Sequence, residues 1–215
     1  MVKKFPIKNQ KSKIKDVLAV FGGTFDPPHN GHMRIAGKVL DSGRADKVVF
    51  VPAFHPPHKP DSPVTSFAGR LEMLRLAVPP DPRFEISDIE GRRSGPSYTF
   101  DTLMELGKMN KGSEIRLLMG SDSLAQFHTW YRAAEIVQIW TLIVYPRKGY
   151  LPSKDELKAN WGPEVAERLL GYILPMPCLE VSSTEIRKRI IEGRDLDGLV
   201  CSSVGRYIVE KKIYR

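Results

Sequence analysis

The sequence predicts a doubly wound parallel α/β sheet with a small helical part at its C-terminal end. Short, mostly apolar runs (Val17–Phe21, Val48–Val51, Ile115–Met119 and Trp140–Tyr145) read as strands buried on both faces. Between them, apolar residues recur at helical spacing, and glycines stand at the strand ends. That alternation implies parallel strands joined by helical crossovers. The 215 residues, 41% hydrophobic, suffice for one such domain with a sizeable core. We therefore expect a single domain over 17–215, behind a basic, flexible extension over 1–16.

The first unit carries the strongest signal. Val17–Phe21 is a strand, Gly22-Gly23 break it, and Pro27-Pro28 exclude regular structure until Asn30. Met33, Ile35, Ala36, Val39 and Leu40 then place a helix that starts near Asn30 or Gly31. A strand, a glycine turn and a helix N-terminus make an anion site, because open backbone N–H groups and the positive dipole end face the loop. His29 and His32 are three apart and share one side of the first turn. Both rings, with amides freed by Gly22 and Gly23, can hold a phosphate chain. A zinc pair or two surface histidines are the competing readings, but zinc usually needs three or four ligands and no cysteine is near. No G-K-[ST] follows the turn, which excludes P-loop chemistry.

After the Val48–Val51 strand, four prolines stiffen the loop Pro52–Pro60, which carries His55, His58 and Lys59. Lys59 follows a strand's C-terminal end, where open α/β sheets bind ligands, and can pair with a phosphate or remain solvated. Thr65 or Ser66 caps a helix with Phe67, Leu71, Leu74 and Val78 on its buried stripe, leaving Arg70 and Arg75 as surface residues. Phe84–Ile89 alternates as a half-exposed strand, and Gly91–Pro96 reads as a flexible basic loop. Ser97 is expected to cap a helix carrying Tyr98, Thr99, Phe100, Leu103 and Leu106.

Gly120-Ser121-Asp122-Ser123 is a turn after the Ile115–Met119 strand. Asp122 can accept from ribose hydroxyls there, or merely stabilise the turn. Trp130 and Tyr131 follow, and a lone tryptophan is as readily core as ligand-binding. Tyr150–Leu170 reads as one or two amphipathic helices with Pro163 in a first turn, and Leu179–Val181 as a short strand. Ser182 and Glu185 match a capping box that starts a helix with Ile186, Ile190 and Ile191 on its apolar side. The box leaves Ser183, Thr184 and Arg187 unexplained; hydroxyls, helix amides and a guanidinium suit a triphosphate. Ser202 is expected to cap the last helix, with Val204, Tyr207 and Ile208 on one face.

Composition narrows the classes further. The net charge is +8, but Lys3, Lys4, Lys8, Lys11, Lys13 and Lys15 supply most of it. The remainder is only mildly basic, which argues for a solvated tail over a nucleic-acid footprint. No stretch approaches the roughly 20 apolar residues of a membrane span, and the N-terminus lacks a secretory apolar core. Two cysteines, Cys178 and Cys201, fit a reducing cytoplasm.

F-G-G-T-F-D-P-P-H-N-G-H, at 21–32, resembles the signature of the H-x-G-H nucleotidyltransferases. V-S-S-T-E-I-R at 181–187 resembles their second phosphate-binding motif. H-P-P-H-K, S-Y-T-F-D-T-L and G-S-D-S-L-A-Q-F-H-T-W resemble segments of the nicotinate-mononucleotide branch, with Ser121 replacing the usual alanine. The closing helix departs in having Cys201-Ser202 where a proline often stands. The resemblance spans about Val17 to Tyr214 and implies a Rossmann-like nucleotidyltransferase fold.

It implies transfer of AMP from ATP to nicotinate mononucleotide, giving deamido-NAD and pyrophosphate in NAD biosynthesis, by in-line attack without a covalent enzyme intermediate. On the same basis His29, His32 and Arg187 are catalytic. Gly22, Gly23, Thr24, Phe25, Gly120, Asp122, Ser182, Ser183 and Thr184 join them in holding ATP. Lys59, Tyr98, Thr99, Phe100, Trp130 and Tyr131 hold the acceptor, with the tryptophan stacked on the pyridine ring. Mg²⁺ would be held by phosphates and water, with no metal-binding residue assigned. The expected compartment is cytoplasmic, with neither nucleic acid nor membrane as partner, and homo-oligomerisation stays open. The alternatives are another acceptor (nicotinamide mononucleotide, phosphopantetheine or glycerol phosphate), a binding protein without turnover, and an RNA-binding synthetase-like module. The last is disfavoured by the lack of a K-M-S-K-S string.

Overall fold

The computed structural model describes residues 15–55, 65–178 and 181–215. Lys59 and its H-P-P-H-K neighbours from 56 on lie outside them, as do residues 1–14 of the basic extension and residues 179–180 of the expected short strand. Val181 is not in a strand.

Five strands, β1 (Val17–Gly23), β2 (Lys47–Pro52), β3 (Phe84–Ile86), β4 (Glu114–Gly120) and β5 (Thr141–Tyr145), form one sheet in the order β3-β2-β1-β4-β5. Every neighbouring pair is parallel. The chain winds outward from β1 to β3, then returns to the other side for β4 and β5. The order therefore reverses between β1 and β4, and a crevice opens beyond their C-terminal ends. The helices are α1 (Asn30–Asp41), α2 (Phe67–Ala77), α3 (Thr99–Met109), α4 (Ser121–Ala125), α5 (Ala133–Ile139), α6 (Lys154–Trp161), α7 (Pro163–Gly171), α8 (Ser183–Ile191) and α9 (Ser202–Glu210).

Successive β1 side chains point to opposite faces, which sorts the core into two layers. Leu18 and Val20 pack with Phe100, Leu103 and Leu106 of α3 and Ile136 and Val137 of α5. Ala19 and Phe21 pack with Ile35, Ala36 and Val39 of α1 and Leu74 of α2. A third cluster joins Met73 of α2 to Ile186, Val200, Val204 and Ile208, docking the C-terminal helical part onto the sheet domain.

Several local expectations are corrected. Gly22 and Gly23 extend β1 opposite Val51 and Pro52, because parallel pairing supplies the order a side chain would not. Trp140 closes α5 and precedes β5. The Phe84–Ile89 strand is only three residues long, and Ile89–Arg92 is a 3₁₀ turn with Gly91 inside it. A Cβ at Gly91 would lie 2.4 Å from the Phe67 ring, so glycine there serves packing, not flexibility. Ser97 does not cap α3; its Oγ accepts from the N–H groups of Phe54 and His55, both at 3.0 Å. Ser182 does cap α8, accepting from Glu185 N–H at 3.2 Å, but the Glu185 carboxylate turns away to Arg189 and Arg194. The expected reciprocal box is therefore half formed. Ser202 is the first residue of α9 and Cys201 its N-cap, without a side-chain bond to the helix.

Candidate active site

A cleft of about 710 Å³ occupies the crevice between the ends of β1 and β4. Small-molecule sites fall in the range of about 300–1,000 Å³. Its floor is the end of β1 and the loop after it. Phe25 holds a left-handed backbone (φ +50°), and its buried ring meets His32 edge-on at 4.9 Å. The first turn of α1 then presents the two histidines. Their rings stack with centroids 3.7 Å apart and planes 21° from parallel. Gly31 makes this stack possible, since a Cβ there would stand 2.9 Å from His29 Nδ1.

Both imidazoles are held neutral. Burial first, then the Arg147 charge, lower His29 to about 4. Burial, the His29 charge and Arg147 push His32 well below the ordinary histidine value. His32 Nδ1 accepts the His29 backbone N–H at 3.1 Å, so the neutral ring carries its proton on Nε2. Among the described residues His29 Nδ1 is buried without a hydrogen-bond partner, and such an orphan invites a ligand or water.

Opposite this turn stands the start of α8. Arg187 Nη1 donates to the Asp26 carbonyl at 2.8 Å, and Ser183 Oγ donates to the Pro27 carbonyl at 2.9 Å. Two loops far apart in sequence are thereby locked together. Arg187, Ser182, Ser183 and Thr184 line the same cleft as His29 and His32. Past β4, Asp122 Oδ2 accepts from Arg147 Nη1 at 2.6 Å. A Cβ on Gly120 would fall 2.3 Å from Asp122 Oδ1, so glycine there leaves room for the carboxylate. The far wall carries Tyr98, Thr99, Trp130 and Tyr131, with Tyr98 stacked on Tyr131 at 4.4 Å. Tyr98, the N-cap of α3, makes no side-chain bond to the helix, and among the described residues the amides of its first turn stay open at this wall.

The profile of the cytidylyltransferase-like family matches residues 20–189. The chain belongs to the cytidylyltransferase-like family. Relatives include the probable nicotinate-nucleotide adenylyltransferase of Caldicellulosiruptor bescii, 36% identical over 202 residues, covering 92% of this chain and 98% of the relative. Another, from Geobacter metallireducens and of the same description, is 37% identical over 209 residues, covering 91% and 96%. The Plasmodium falciparum nicotinic acid mononucleotide adenylyltransferase complexed with NaAD shares the fold. Its TM-score is 0.74 at 19% identity, over 92% of this chain and 96% of that one.

Within this family fold, the cleft gathers all three residues expected to be catalytic, every residue expected at ATP, and four of those expected at the acceptor. Phe100 is the exception among the described residues. Its side chain is buried against Trp140 and beneath the Arg132 guanidinium, so only its backbone amide, on the first turn of α3, can serve the site. Asp122 is paired with Arg147, a residue the sequence reading missed. A signal existed: basic Arg147 and Lys148 stand just past Pro146, which ends a strand at its C-terminal side.

Arg70, expected at the surface, is 2% exposed, with Nε donating to the Thr65 carbonyl and Nη1 to the Thr24 carbonyl. Asp26, Glu90 and Tyr145 were also missed. Glu90 is buried, accepts from Thr102 Oγ1 at 2.7 Å and lines the acceptor wall. Tyr145 is pushed up to about 12, by burial first and then by the Asp122 charge, so it stays a phenol.

Proposed function

We propose that the chain transfers AMP from ATP to nicotinate mononucleotide, releasing pyrophosphate and forming deamido-NAD, a step of NAD biosynthesis. The convergence of His29, His32 and Arg187 on one switch-point cleft carries this reading. Relatives alike over nine-tenths of the chain support it.

A phosphate monoester is already nucleophilic near neutral pH, so the protein need not supply a nucleophile. What the chain must do is align two polyanions and offset their repulsion. In this reading the triphosphate lies on the α1 turn, with the His32 Nε2–H donating to its oxygens. Arg187 and the start of α8 hold it from the opposite side. The histidines are neutral when the cleft is empty. A bound triphosphate, adding negative charge beside them, raises their proton affinity. His29, whose Nδ1 has no protein partner among the described residues, can then take up a proton and carry positive charge where the departing pyrophosphate gathers negative charge, while His32, whose Nδ1 accepts a backbone N–H, donates as the neutral ring. The acceptor's nicotinate ring lies between Trp130 and the Tyr98–Tyr131 pair, and its carboxylate meets the open amides of α3.

Among the described residues no three His, Cys, Asp or Glu side chains are grouped to hold a metal ion. Asp122 is engaged by Arg147 and Asp26 by Tyr214. That donor set fits Mg²⁺ carried on the triphosphate oxygens and water. When bound it supplies further charge neutralisation. No helix among the described residues is long and apolar enough to cross a membrane, and the cytoplasm is the proposed compartment.

The test is a substrate panel with ATP and Mg²⁺, following pyrophosphate and the dinucleotide product. We expect turnover with nicotinate mononucleotide and much less with nicotinamide mononucleotide, phosphopantetheine or glycerol phosphate. Equal use of the amide and the carboxylate would remove the acceptor assignment. No pyrophosphate with any acceptor would leave a binding protein.

A further inference from the structure

Beneath the phosphate-binding loop lies a buried polar network that the reaction described above does not use. Asp26 is 3% exposed and Arg70 2%. The Tyr214 hydroxyl donates to Asp26 Oδ1, and the Thr65 N–H donates to Asp26 Oδ2 at 3.2 Å. Arg70 ties the same pieces together, through Thr65 O at 2.9 Å and Thr24 O at 2.8 Å. The backbone carbonyl of Asp26 is the group that receives Arg187. Asp26 is therefore a junction, with its side chain gripping Tyr214 and its carbonyl gripping a proposed ATP ligand.

The route by which Tyr214 reaches this junction is also informative. Lys212 (φ +51°) takes the left-handed backbone usual just past a helix end, with Ile213 N–H bonded to Ile208 O at 3.0 Å, but Tyr214 (φ +68°), two residues further on, holds left-handed backbone outside that closure. Such conformations persist only where surrounding contacts over-determine them, and they concentrate at functional sites. Burial and the bond to Asp26 push the Tyr214 phenol well above the ordinary tyrosine value, so its hydroxyl stays a donor.

We propose that Tyr214 is a positioning residue for adenylyl transfer: through Asp26 it fixes the carbonyl that aims Arg187 into the cleft. The inference rests on the adenylyltransferase reading. It goes beyond it by giving the segment after α9 a share in ATP binding.

The test is Tyr214→Phe, which deletes the hydroxyl and keeps the ring, read by the Kd of a non-hydrolysable ATP analogue and by steady-state kinetics. We expect the analogue Kd to weaken and kcat/KM for ATP to fall, each about tenfold. The acceptor KM should stay within about twofold and the melting temperature within a few degrees. Repeated in an Arg187→Ala background, the substitution should change the Kd less than about twofold, because the two residues act as one unit. Unchanged Kd and kcat/KM would overturn the proposal, as would a tenfold loss that persists without Arg187. If Tyr214→Phe does not fold, Asp26→Asn is read the same way. Failure of both to fold would assign the network to the fold alone and reject the positioning role. A wild-type protein that does not bind the analogue would instead sink the adenylyltransferase reading, and the inference with it.

Discussion

The two walls of the cleft are built on opposite principles. On the triphosphate side, polar groups are buried and tied down: His29 is 6% exposed, its ring is stacked on His32, and Arg187 is bonded to a carbonyl 161 residues away. On the acceptor side, apart from buried Glu90, the surfaces are aromatic and more open, with Tyr131 48% exposed, stacked on Tyr98 and edge-on to Phe100. The contrast follows from the work each wall does. Stabilising developing charge requires dipoles and donors fixed beforehand in a dry site. Holding a flat ring requires apolar area, which tolerates local movement.

Substitutions on the two walls should therefore fail differently. His32→Ala is expected to have the largest effect, a loss of about 100-fold or more in adenylyl transfer from a folded protein. A much smaller loss, measured with circular dichroism as a folding control, would contradict the electrostatic role. Gly31→Ala sharpens the point. Its new Cβ, 2.9 Å from His29 Nδ1, must displace the stacked ring, yet alanine favours a helix over glycine by roughly 0.5–1 kcal/mol. We expect at least about a tenfold loss of turnover with the melting temperature held or raised. If activity survived, the stack would not matter to the chemistry.

Trp130→Ala addresses the other wall. Losing one aromatic face costs about 0.5–1.5 kcal/mol beyond area burial, so the acceptor KM should rise up to about tenfold while ATP binding is kept. A rise confined to the KM for ATP would reverse the roles of the two walls.

The smallest expected effect is on stability against pH. His29 is lowered from 6.5 to about 4, so the unfolded chain binds more protons between these values. Stability of the empty protein should hold above about pH 6.5 and fall as pH drops toward 4. His29→Asn should flatten that slope in thermal melts, and saturating ATP, by raising the proton affinity of the folded-state ring, should flatten it as well. An unchanged slope in the variant would place the titration elsewhere.

These expectations also mark how far the sequence could be read. The H-x-G-H turn was legible because Gly22, Gly23, His29 and His32 sit within one strand–turn–helix unit, where spacing decides direction. Arg187 was legible because a serine cap at Ser182 places α8, and the hydroxyl run before the guanidinium needed a reason. Arg70 was misread because a helical arginine is ordinarily solvated. Nothing local announces that Thr24, 46 residues away, lies within reach of its guanidinium. Ser97 was misread for a related reason, since a serine before a helix is ordinarily its cap. Here the backbone of Phe54 and His55 competes for its oxygen.

By itself, then, the sequence determined the strand–helix alternation, the turn that receives phosphate and the residue types available there. Periodicity and steric limits act over a few residues. Which groups meet across the cleft was decided only by the tertiary structure. Asp122 finds Arg147 because β4 and β5 are neighbours, and Asp26 finds Tyr214 across 188 residues because α9 docks on α2. Those pairings depend on strand order and helix docking, which no local spacing encodes.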